Sequence, residues 1–409
     1  MSITQEFLDE NKAKLSVQKA KSSREAMLII ALMAGYSMIY MDKNMISTAI
    51  IPIAEQFHLT TSQTGLMMSL FFLGYSIMQI PGGWLADKFG YKKVLILSLS
   101  LIALFSFAFS FGASLLVFVL IRFLAGIGHA GYPPSCSKGI AVNFSKEKRT
   151  FIQSLILSTS GIGGILAFVI GARLIDLNWH YAYYVLGAFF AISLLLVIFF
   201  VPNHVPIEKV KVVSKQVSFK SVISNRNVII LFIAMLIANI AFYGNMSWLP
   251  SFLKVKFSLS ISTVGTILAV NAIGGTIASL CAGVLLTKFN GKEKLLLMVS
   301  SILSSILFIS LVYSDSLALS IVFLYVLTFL LTVMFVGIFS WPHKILPEKV
   351  IGSSIGIVNT GGTLGGFIAP ISFGALISMA GGSFSIVFIS LAIAILICGF
   401  VTLTVKTEK

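Results

Sequence analysis

Charged residues are scarce in this chain. Only 11% of its 409 residues are Asp, Glu, Lys or Arg, whereas an ordinary soluble domain has roughly 25%. A soluble domain of this length would need many more charges to cover its surface, so the composition excludes a cytosolic enzyme. The 34 phenylalanines and the 57% hydrophobic content exclude an intrinsically disordered chain as well. The remaining class is a polytopic membrane protein.

Cysteine is rare too. The three cysteines, Cys136, Cys281 and Cys398, lie far apart within apolar stretches, so neither a disulfide framework nor a zinc cluster is predicted. The chain also lacks the spacings typical of nucleotide-binding loops, catalytic triads and metal sites. We therefore expect no enzymatic activity, no metal and no cofactor.

Long apolar runs fill most of the sequence. A helix needs about 20 apolar residues to cross about 30 Å of hydrocarbon, and residues 350–405 alone, which include no Asp, Glu, Lys or Arg, are long enough for two such helices. The fold class predicted is an all-α polytopic membrane protein with twelve transmembrane helices. Their expected starts are Met27, Gly65, Val94, Leu115, Phe151, Tyr181, Val228, Ser262, Leu295, Leu317, Ile351 and Phe384.

The net charge of +15 is distributed unevenly over the loops. Alternate loops, starting with the N-terminus, hold 24 of the 29 basic residues, and the other set holds only Arg173, Lys254 and Lys256. This asymmetry is the positive-inside pattern, so both termini are predicted to be cytoplasmic, in a bacterial plasma membrane. Because topology accounts for the basic surplus, no nucleic-acid partner is expected, and the only extended partner predicted is the lipid bilayer.

The longest polar connection divides the spans into two sets of six. We predict a cytosolic tail at 1–26, a six-helix bundle at 27–201, a basic linker at 202–227, a second bundle at 228–405 and a short tail at 406–409. The two bundles are related by an internal repeat of two hundred residues. Matching pairs are Gly83/Gly283, Leu85/Leu285, Lys88/Lys288, Phe89/Phe289 and Lys92/Lys292. Two like-oriented bundles with a substrate site between them form a secondary-transporter architecture.

The residues after span two carry a family resemblance. Gly83-x-Leu85-x-Asp87-Lys88-x-Gly90 resembles the loop signature of the major facilitator superfamily, and residues 71–87 as a whole resemble its anion:cation symporter family. The stretches at 40–43, 122–128 and 248–250 agree with this resemblance. It implies a monomeric major facilitator fold that moves a sugar acid, carboxylate or organophosphate by alternating access.

The signature also predicts a conformational latch. Asp87 lies where a helix meets the cytosol, and a carboxylate there can bind a helix N-terminus or a basic side chain and so stabilise one conformation. An ordinary interfacial charge cluster is the alternative. Thr287 stands at the equivalent position of the second half, so we expect the latch there to be weaker or absent. The predicted latch residues are Gly83, Asp87, Lys88, Gly90 and Lys92.

Few ionisable residues lie within the spans. Each costs on the order of 3 kcal/mol on insertion scales, so its presence needs a reason. Asp42 and Lys43 are adjacent in span one and diverge by about 100° on a helix, whereas Arg122 and His129 in span four are seven residues apart and share a face. An ion pair of Asp42 with Arg122 or Lys43 that only neutralises charge is one interpretation.

The other interpretation is a substrate site. Two cations against one carboxylate leave the N-terminal half of the cavity positive, which suits an anionic substrate. In the resembling family, the equivalents of Lys43, Arg122 and Tyr75 face the substrate, although that family usually has Arg in place of Lys43. Neutral polar residues of the second half are expected to contact the substrate or, equally, to hydrogen-bond between helices. We single out Tyr243, Asn245 and Trp248.

Asp42 and His129 are the candidates for the coupling proton. The family often has Glu in place of His129, and that Glu is implicated in proton coupling. Histidine titrates near pH 6.5 when unperturbed, but an imidazolium close to Arg122 is electrostatically disfavoured, so we favour Asp42. A substrate contact and a purely structural role remain open for His129, and sodium remains an alternative coupling ion.

These observations predict proton-coupled uptake of a small organic anion. The alternative is a proton-antiport exporter of a drug or siderophore. Such antiporters often carry a Gly-Pro pair in span five, which residues 161–171 lack. A ligand-sensing receptor is less favoured because the tails and linker are too short for a signalling domain.

The charge pattern generates a topology prediction. In a variant whose native cysteines are replaced, a cysteine at Ser316 should react with a membrane-impermeant maleimide in intact cells, because it lies in a loop predicted to be extracellular. A cysteine at Ser214 should react only after the cells are opened. Labelling in the reverse order would invert the topology.

Overall fold

The part of the chain that the structure describes contains twelve helices long and apolar enough to span a membrane. The structure, a computed structural model, describes residues 2–203, 222, 224–346 and 348–406. Each span begins within four residues of its predicted start, so the predicted fold class is confirmed. Numbered in chain order, spans 1 to 12 are Ser23–Phe57, Thr61–Phe89, Tyr91–Phe109, Leu115–Asn143, Glu147–Leu177, Trp179–Phe200, Arg226–Phe257, Ile261–Lys288, Glu293–Tyr313, Leu317–Ile345, Ser354–Met379 and Ser385–Leu403.

Several spans differ from single regular helices. Span 1 continues a longer helix, Ser2–Phe57, and span 11 lies within Glu348–Met379. Span 4 is interrupted after Ala130 and span 10 after Ser340. In each case proline lies in the first turn of the helical segment that follows, and proline has no N–H to donate to the preceding turn. Span 5 is composed of Lys146–Leu157, Thr159–Ile165, a π-helical turn Leu166–Gly171 and Ala172–Leu177.

Most of the predicted linker, 202–227, and the end of the predicted C-terminal tail lie outside the described residues, as does Ser214. We use two names for the ends of the spans. The outer end is the one at which the charge pattern predicts extracellular loops, and the inner end is the opposite one.

The two halves are in contact at the outer end. Lys254 Nζ of span 7 lies 2.7 Å from Glu55 Oε1 of span 1. Ser262 Oγ donates to Asp176 Oδ2 at 2.6 Å, and Thr61 Oγ1 donates to the Gly374 carbonyl at 2.9 Å. These contacts join spans 1, 2 and 5 to spans 7, 11 and 8 respectively, so they close the outer end.

The space around the glycines shows how far the contact between the two halves extends. A Cβ added at Gly65 would lie 2.4 Å from the Pro370 carbonyl oxygen, and one at Gly265 would lie 2.3 Å from the Phe168 carbonyl oxygen. Both neighbours belong to the opposite half. At the inner end, by contrast, a Cβ at Gly283 or Gly356 would have no neighbour within 4 Å. The halves are therefore packed together at the outer end and separated at the inner end.

The turn between spans 2 and 3 positions the predicted latch. Gly90 adopts φ 91°, a left-handed conformation that a side chain would strain, and its N–H donates to the Ala86 carbonyl. Asp87 lies one turn before it and pairs with Lys138 of span 4, Nζ to Oδ1 2.7 Å, while the same Nζ donates to the Ala86 carbonyl at 2.9 Å. Asp87 thus contacts a basic side chain on a neighbouring span.

The other predicted latch residues have different contacts. Lys88 Nζ lies 4.7 Å from the centre of the Trp84 ring, and Lys92 Nζ donates to the Ile198 carbonyl at 2.8 Å. The closest approach to a Cβ at Gly83 would come from Pro134 of the same half, at 3.8 Å. Lys138, whose ammonium group pairs with the Asp87 carboxylate, was not among the predicted latch residues.

The second half has its own ion pair at the inner end, which was not predicted, and a weaker or absent second latch stays a prediction. Lys344 Nζ lies 2.6 Å from Glu293 Oε1 and 3.4 Å from the Leu286 carbonyl oxygen. Leu286 occupies the position of Ala86 in the internal repeat. Lys344 in the second half and Lys138 in the first half therefore donate to equivalent backbone carbonyls. The carboxylate of this pair belongs to Glu293 at the start of span 9. It cannot come from the repeat position of Asp87, because Thr287 stands there and donates its hydroxyl to the Gly283 carbonyl.

This geometry predicts that Lys138 and Asp87 act together. Asp87→Asn and Lys138→Gln should each slow interconversion between inward- and outward-facing states, because each removes one charge of the same pair. Folding should be nearly unaffected, since exposed ion pairs contribute only about 0.2–1 kcal/mol. The measurements are the transport rate and the accessibility of a cavity cysteine.

Lys93→Gln serves as the control. Lys93 is an exposed cation in the same turn, and its loss should leave both readouts unchanged. Wild-type rates in Asp87→Asn and Lys138→Gln would reduce the pair to an ordinary interfacial charge cluster.

Candidate functional site

A buried cluster of charge joins spans 1 and 4. Arg122 Nη1 lies 3.2 Å from Asp42 Oδ1, and His129 Nε2 lies 2.9 Å from Asp42 Oδ2. The side chains of all three are at most 4% exposed. Arg122 and His129 reach one carboxylate because two helical turns separate them along a single face. Of the two ion pairs considered from the sequence, the structure contains the one with Arg122.

Phe71 of span 2 covers this cluster. Its ring centre lies 4.5 Å from the Arg122 guanidinium carbon and 4.8 Å from the centre of the His129 ring. Phe190 of span 6 lies against the other side of His129, at 6.0 Å. These aromatic walls keep the three polar side chains in a dry environment, in which the interaction between opposite charges is strong.

Lys43 has a different environment from its neighbour Asp42. Its Nζ lies 4.5 Å from the centre of the Tyr75 ring and 5.8 Å from the centre of the Tyr40 ring. Within the described part of the chain, no carboxylate oxygen lies within 4.0 Å of this Nζ. Lys43 is thus a cation within a membrane span that lies between aromatic rings and forms no ion pair with any described residue.

The second half brings Tyr243 to the same region. Its ring centre lies 4.6 Å from that of Phe72 in span 2. Tyr243 follows Lys43 by two hundred residues, so the two occupy equivalent positions of the internal repeat. A basic position of the first half and a phenol of the second half therefore lie in one region where the two halves meet.

Asn245 and Trp248 lie deeper in the second half. Asn245 is buried, and its Oδ1 has no hydrogen-bond partner in the described ranges. Trp248 is also buried, and a Cβ at Gly374, near the closed outer end, would lie 3.1 Å from its ring. The Nε1 of Trp248 likewise has no partner among the residues described. Both polar groups can accept or donate a hydrogen bond, and their role as substrate contacts stays a prediction.

Sequence reasoning missed the aromatic residues of this region. Phe71, Phe72 and Tyr40 contact the charged residues or Tyr243. They lie within the stretches that carry the family resemblance, but an aromatic side chain in an apolar span gives no signal of its own for a site, so they were not predicted as site residues.

Comparison with known proteins identifies the family. Residues 32–370 match the model of the Major Facilitator Superfamily. In solved structures, a bacterial homolog of the human lysosomal transporter Spinster superimposes with a TM-score of 0.81 at 16% identity, over 93% of this chain and 96% of that chain. This likeness concerns the fold alone.

Curated relatives cover nearly the whole chain. A probable sulfoacetate transporter of Cupriavidus necator is 29% identical over 391 residues, 89% of each chain. The cis,cis-muconate transport protein of Acinetobacter baylyi is 24% identical over 90% of this chain and 91% of its own length. A probable galactarate/D-glucarate transporter of Escherichia coli is 24% identical over 86% and 87%.

These relatives and the matching family model agree with the resemblance stated from the sequence. Proteins of this family are membrane transporters and not enzymes, and the relatives named above are transporters of organic anions. The twelve spans, the two repeated halves and the match over most of the chain lead to one conclusion: the chain belongs to the major facilitator superfamily.

Proposed function

We propose that this protein takes up a small organic anion together with protons by alternating access. The observation that carries the proposal is the cation Lys43, which lies between Tyr40 and Tyr75 and has no ion-pair partner in the described part of the chain. A cation within a membrane is costly unless it is paired or faces water, and an anionic substrate would supply the missing counter-ion. The names of the relatives, which refer to sulfoacetate, muconate and sugar diacids, support an anion.

The substrate would lie between Lys43 and the second half. The Lys43 ammonium is a point charge that can bind a carboxylate, sulfonate or phosphate oxygen. The Tyr75 and Tyr243 hydroxyls are then available for hydrogen bonds to the remaining polar groups of the substrate. Asn245 and Trp248 provide further polar groups on the second half, reached when the halves rearrange.

Asp42 is the proposed proton carrier. In the present arrangement its carboxylate holds the guanidinium of Arg122 at 3.2 Å. Protonation would neutralise the carboxylate and release Arg122, whose planar fork could then bind the substrate anion by two parallel hydrogen bonds. Deprotonation restores the ion pair and expels the anion. Proton and substrate occupancy would thus be linked through one guanidinium.

In this model His129 orients the carboxylate. Its Nε2 contacts Asp42 Oδ2, while Phe71 and Phe190 cover the ring. The side chain is fully buried, so direct exchange of a proton with water is obstructed in this arrangement. Asp42 is buried almost as completely, with a side chain 4% exposed, so the preference for Asp42 as the carrier rests on the electrostatic cost of an imidazolium close to Arg122.

The wider setting follows from the charge pattern. We propose a monomer in a bacterial plasma membrane, with both termini and the 202–227 linker in the cytoplasm. With that orientation the closed outer end and separated inner end correspond to an inward-facing state. The two bundles, 27–201 and 228–405, would rock about the substrate, with the inner-end pairs at Asp87 and Glu293 opening and closing within each half.

Substitution of Lys43 tests the anion site. Lys43→Gln should raise KM for the anionic substrate about tenfold or more, because hydrogen bonds to charged groups contribute about 1.5–3 kcal/mol. Lys43→Arg should retain most of the affinity since it keeps the charge. The assay is uptake into proteoliposomes with an imposed pH gradient, screened over sulfonates, dicarboxylates, sugar acids and organophosphates.

Lys292→Gln is the matched control, because Lys292 is an exposed cation at the inner end and its removal changes the net charge equally. An unchanged KM in Lys43→Gln, or a preference of the wild type for cationic substrates, would remove the anion hypothesis.

Substitution of Asp42 tests proton coupling separately from binding. Asp42→Asn should stop uphill accumulation yet permit exchange of labelled for unlabelled substrate, because exchange needs only the loaded carrier to reorient. Wild-type uptake should rise as the external pH falls from about 7.5 to about 6, a range over which proton supply increases and histidine also titrates.

His129→Gln distinguishes the two candidate carriers. If it shows exchange without accumulation while Asp42→Asn fails in both assays, His129 carries the proton instead. Uptake that is insensitive to pH and to a protonophore would exclude proton coupling and indicate sodium or facilitated diffusion.

A further inference from the structure

A second basic cavity lies at the inner end of the C-terminal half. It occupies about 770 Å³ between the start of span 7, the start of span 9, the end of span 10 and the end of span 12. It is separate from the substrate region, which lies between the two halves. Its lining includes four basic side chains and, among the described residues, no carboxylate; the four are Arg226, Lys294, Lys344 and Lys406.

Only part of this charge is compensated. Lys344 pairs with Glu293 at 2.6 Å. Lys294 Nζ donates to the Leu403 carbonyl at 3.0 Å. This hydrogen bond gives a partner to a carbonyl at the end of span 12, but it does not neutralise the charge of Lys294. Arg226 and Lys406 are exposed, and no ion pair involves either within the described ranges. Arg226, Lys294 and Lys406 therefore have no carboxylate partner among the residues that the structure describes.

The backbone around the cavity is fixed. The Asn227 side chain donates to the Lys406 carbonyl at 2.8 Å and accepts from the Lys406 N–H at 2.9 Å. This two-bond clamp joins the end of span 12 to the start of span 7, while Lys294 joins it to span 9. The backbones of Arg226 and Lys406 are consequently held on adjacent helix ends, and both residues line the same cavity.

Exposed apolar side chains on spans 9 and 12 lie next to cavity-lining residues along the chain. Leu403 lines the cavity and is 40% exposed, and Leu295, next to Lys294, is 63% exposed. Phe400, one turn before Leu403, is 55% exposed. In a membrane-spanning protein such side chains on spans 9 and 12 face acyl chains. A ligand with an anionic head and a hydrocarbon tail matches both the charge and the apolar surface.

We propose that this cavity binds a phosphate group, and specifically the head group of an anionic phospholipid. Arg226 would hold the phosphate by a forked contact, and Lys294 and Lys406 would add point charges. Basic pockets between helices at a cytoplasmic membrane face are suited to phospholipid head groups. A bound lipid would tie spans 7, 9 and 12 together at the inner end, beside the Lys344–Glu293 pair.

The test is lipid binding by the purified full-length protein in detergent. Phosphatidylglycerol, phosphatidylcholine and inorganic phosphate are titrated separately, and the melting temperature is followed by tryptophan fluorescence. Arg226→Gln/Lys406→Gln should weaken the apparent affinity for phosphatidylglycerol about thirtyfold, since each surface cation contributes about 1 kcal/mol toward anionic lipid. Arg226→Gln alone should weaken it about fivefold.

Lys288→Gln/Lys292→Gln is the matched control, because it removes two exposed cations from the same end of the same half and should leave the affinity unchanged. An unaltered melting temperature in phosphatidylcholine shows that each variant is folded. If inorganic phosphate stabilises the wild type but not the cavity variant, and the two lipids act alike, the phosphate source is soluble. Equal phosphatidylglycerol affinity in the wild type and both cavity variants would overturn the proposal.

Discussion

The burial of Asp42 is the constraint on which the N-terminal half depends. Moving a carboxylate out of water costs several kcal/mol even after relaxation, and removing one partner of a buried pair typically costs about 3–5 kcal/mol. Arg122 and His129 supply the compensation from span 4, across 80 residues of chain. Spans 1 and 4 are thereby held at one rotation and depth, and Phe71 of span 2 completes the enclosure.

That pairing determines which of the charges in the first half has a counter-ion. Because Asp42 is occupied by Arg122 and His129, it leaves Lys43 without a counter-ion, although the two residues are neighbours in sequence. Protein transporters gain coupling when one ligand changes the free energy of another's binding. A proton on Asp42 and an anion near Lys43 would act on the same local charge balance, which is why we assign the two roles to adjacent positions.

The two halves share a fold but not a chemistry. The repeat places Tyr243 at the position of Lys43 and Thr287 at the position of Asp87. The first replacement puts a neutral phenol in the second half where the first half has a cation. The second is offset by Glu293, which reaches Lys344 from another helix. Backbone symmetry therefore preserves the lysine-to-carbonyl contacts at Ala86 and Leu286, while the carboxylates have different origins.

The sequence by itself determined the number of the spans, their starts to within four residues, the internal repeat and the small set of charges inside the membrane. These follow from hydropathy and residue spacing over about 20 residues, which are local properties. Only the tertiary structure decided which charges meet. The partner of Asp87 is Lys138, and Lys43 is a cation within a span that has no carboxylate oxygen within 4.0 Å among the described residues. Such pairings depend on the rotation and crossing of helices that lie far apart in the chain, and hydropathy contains no information about either.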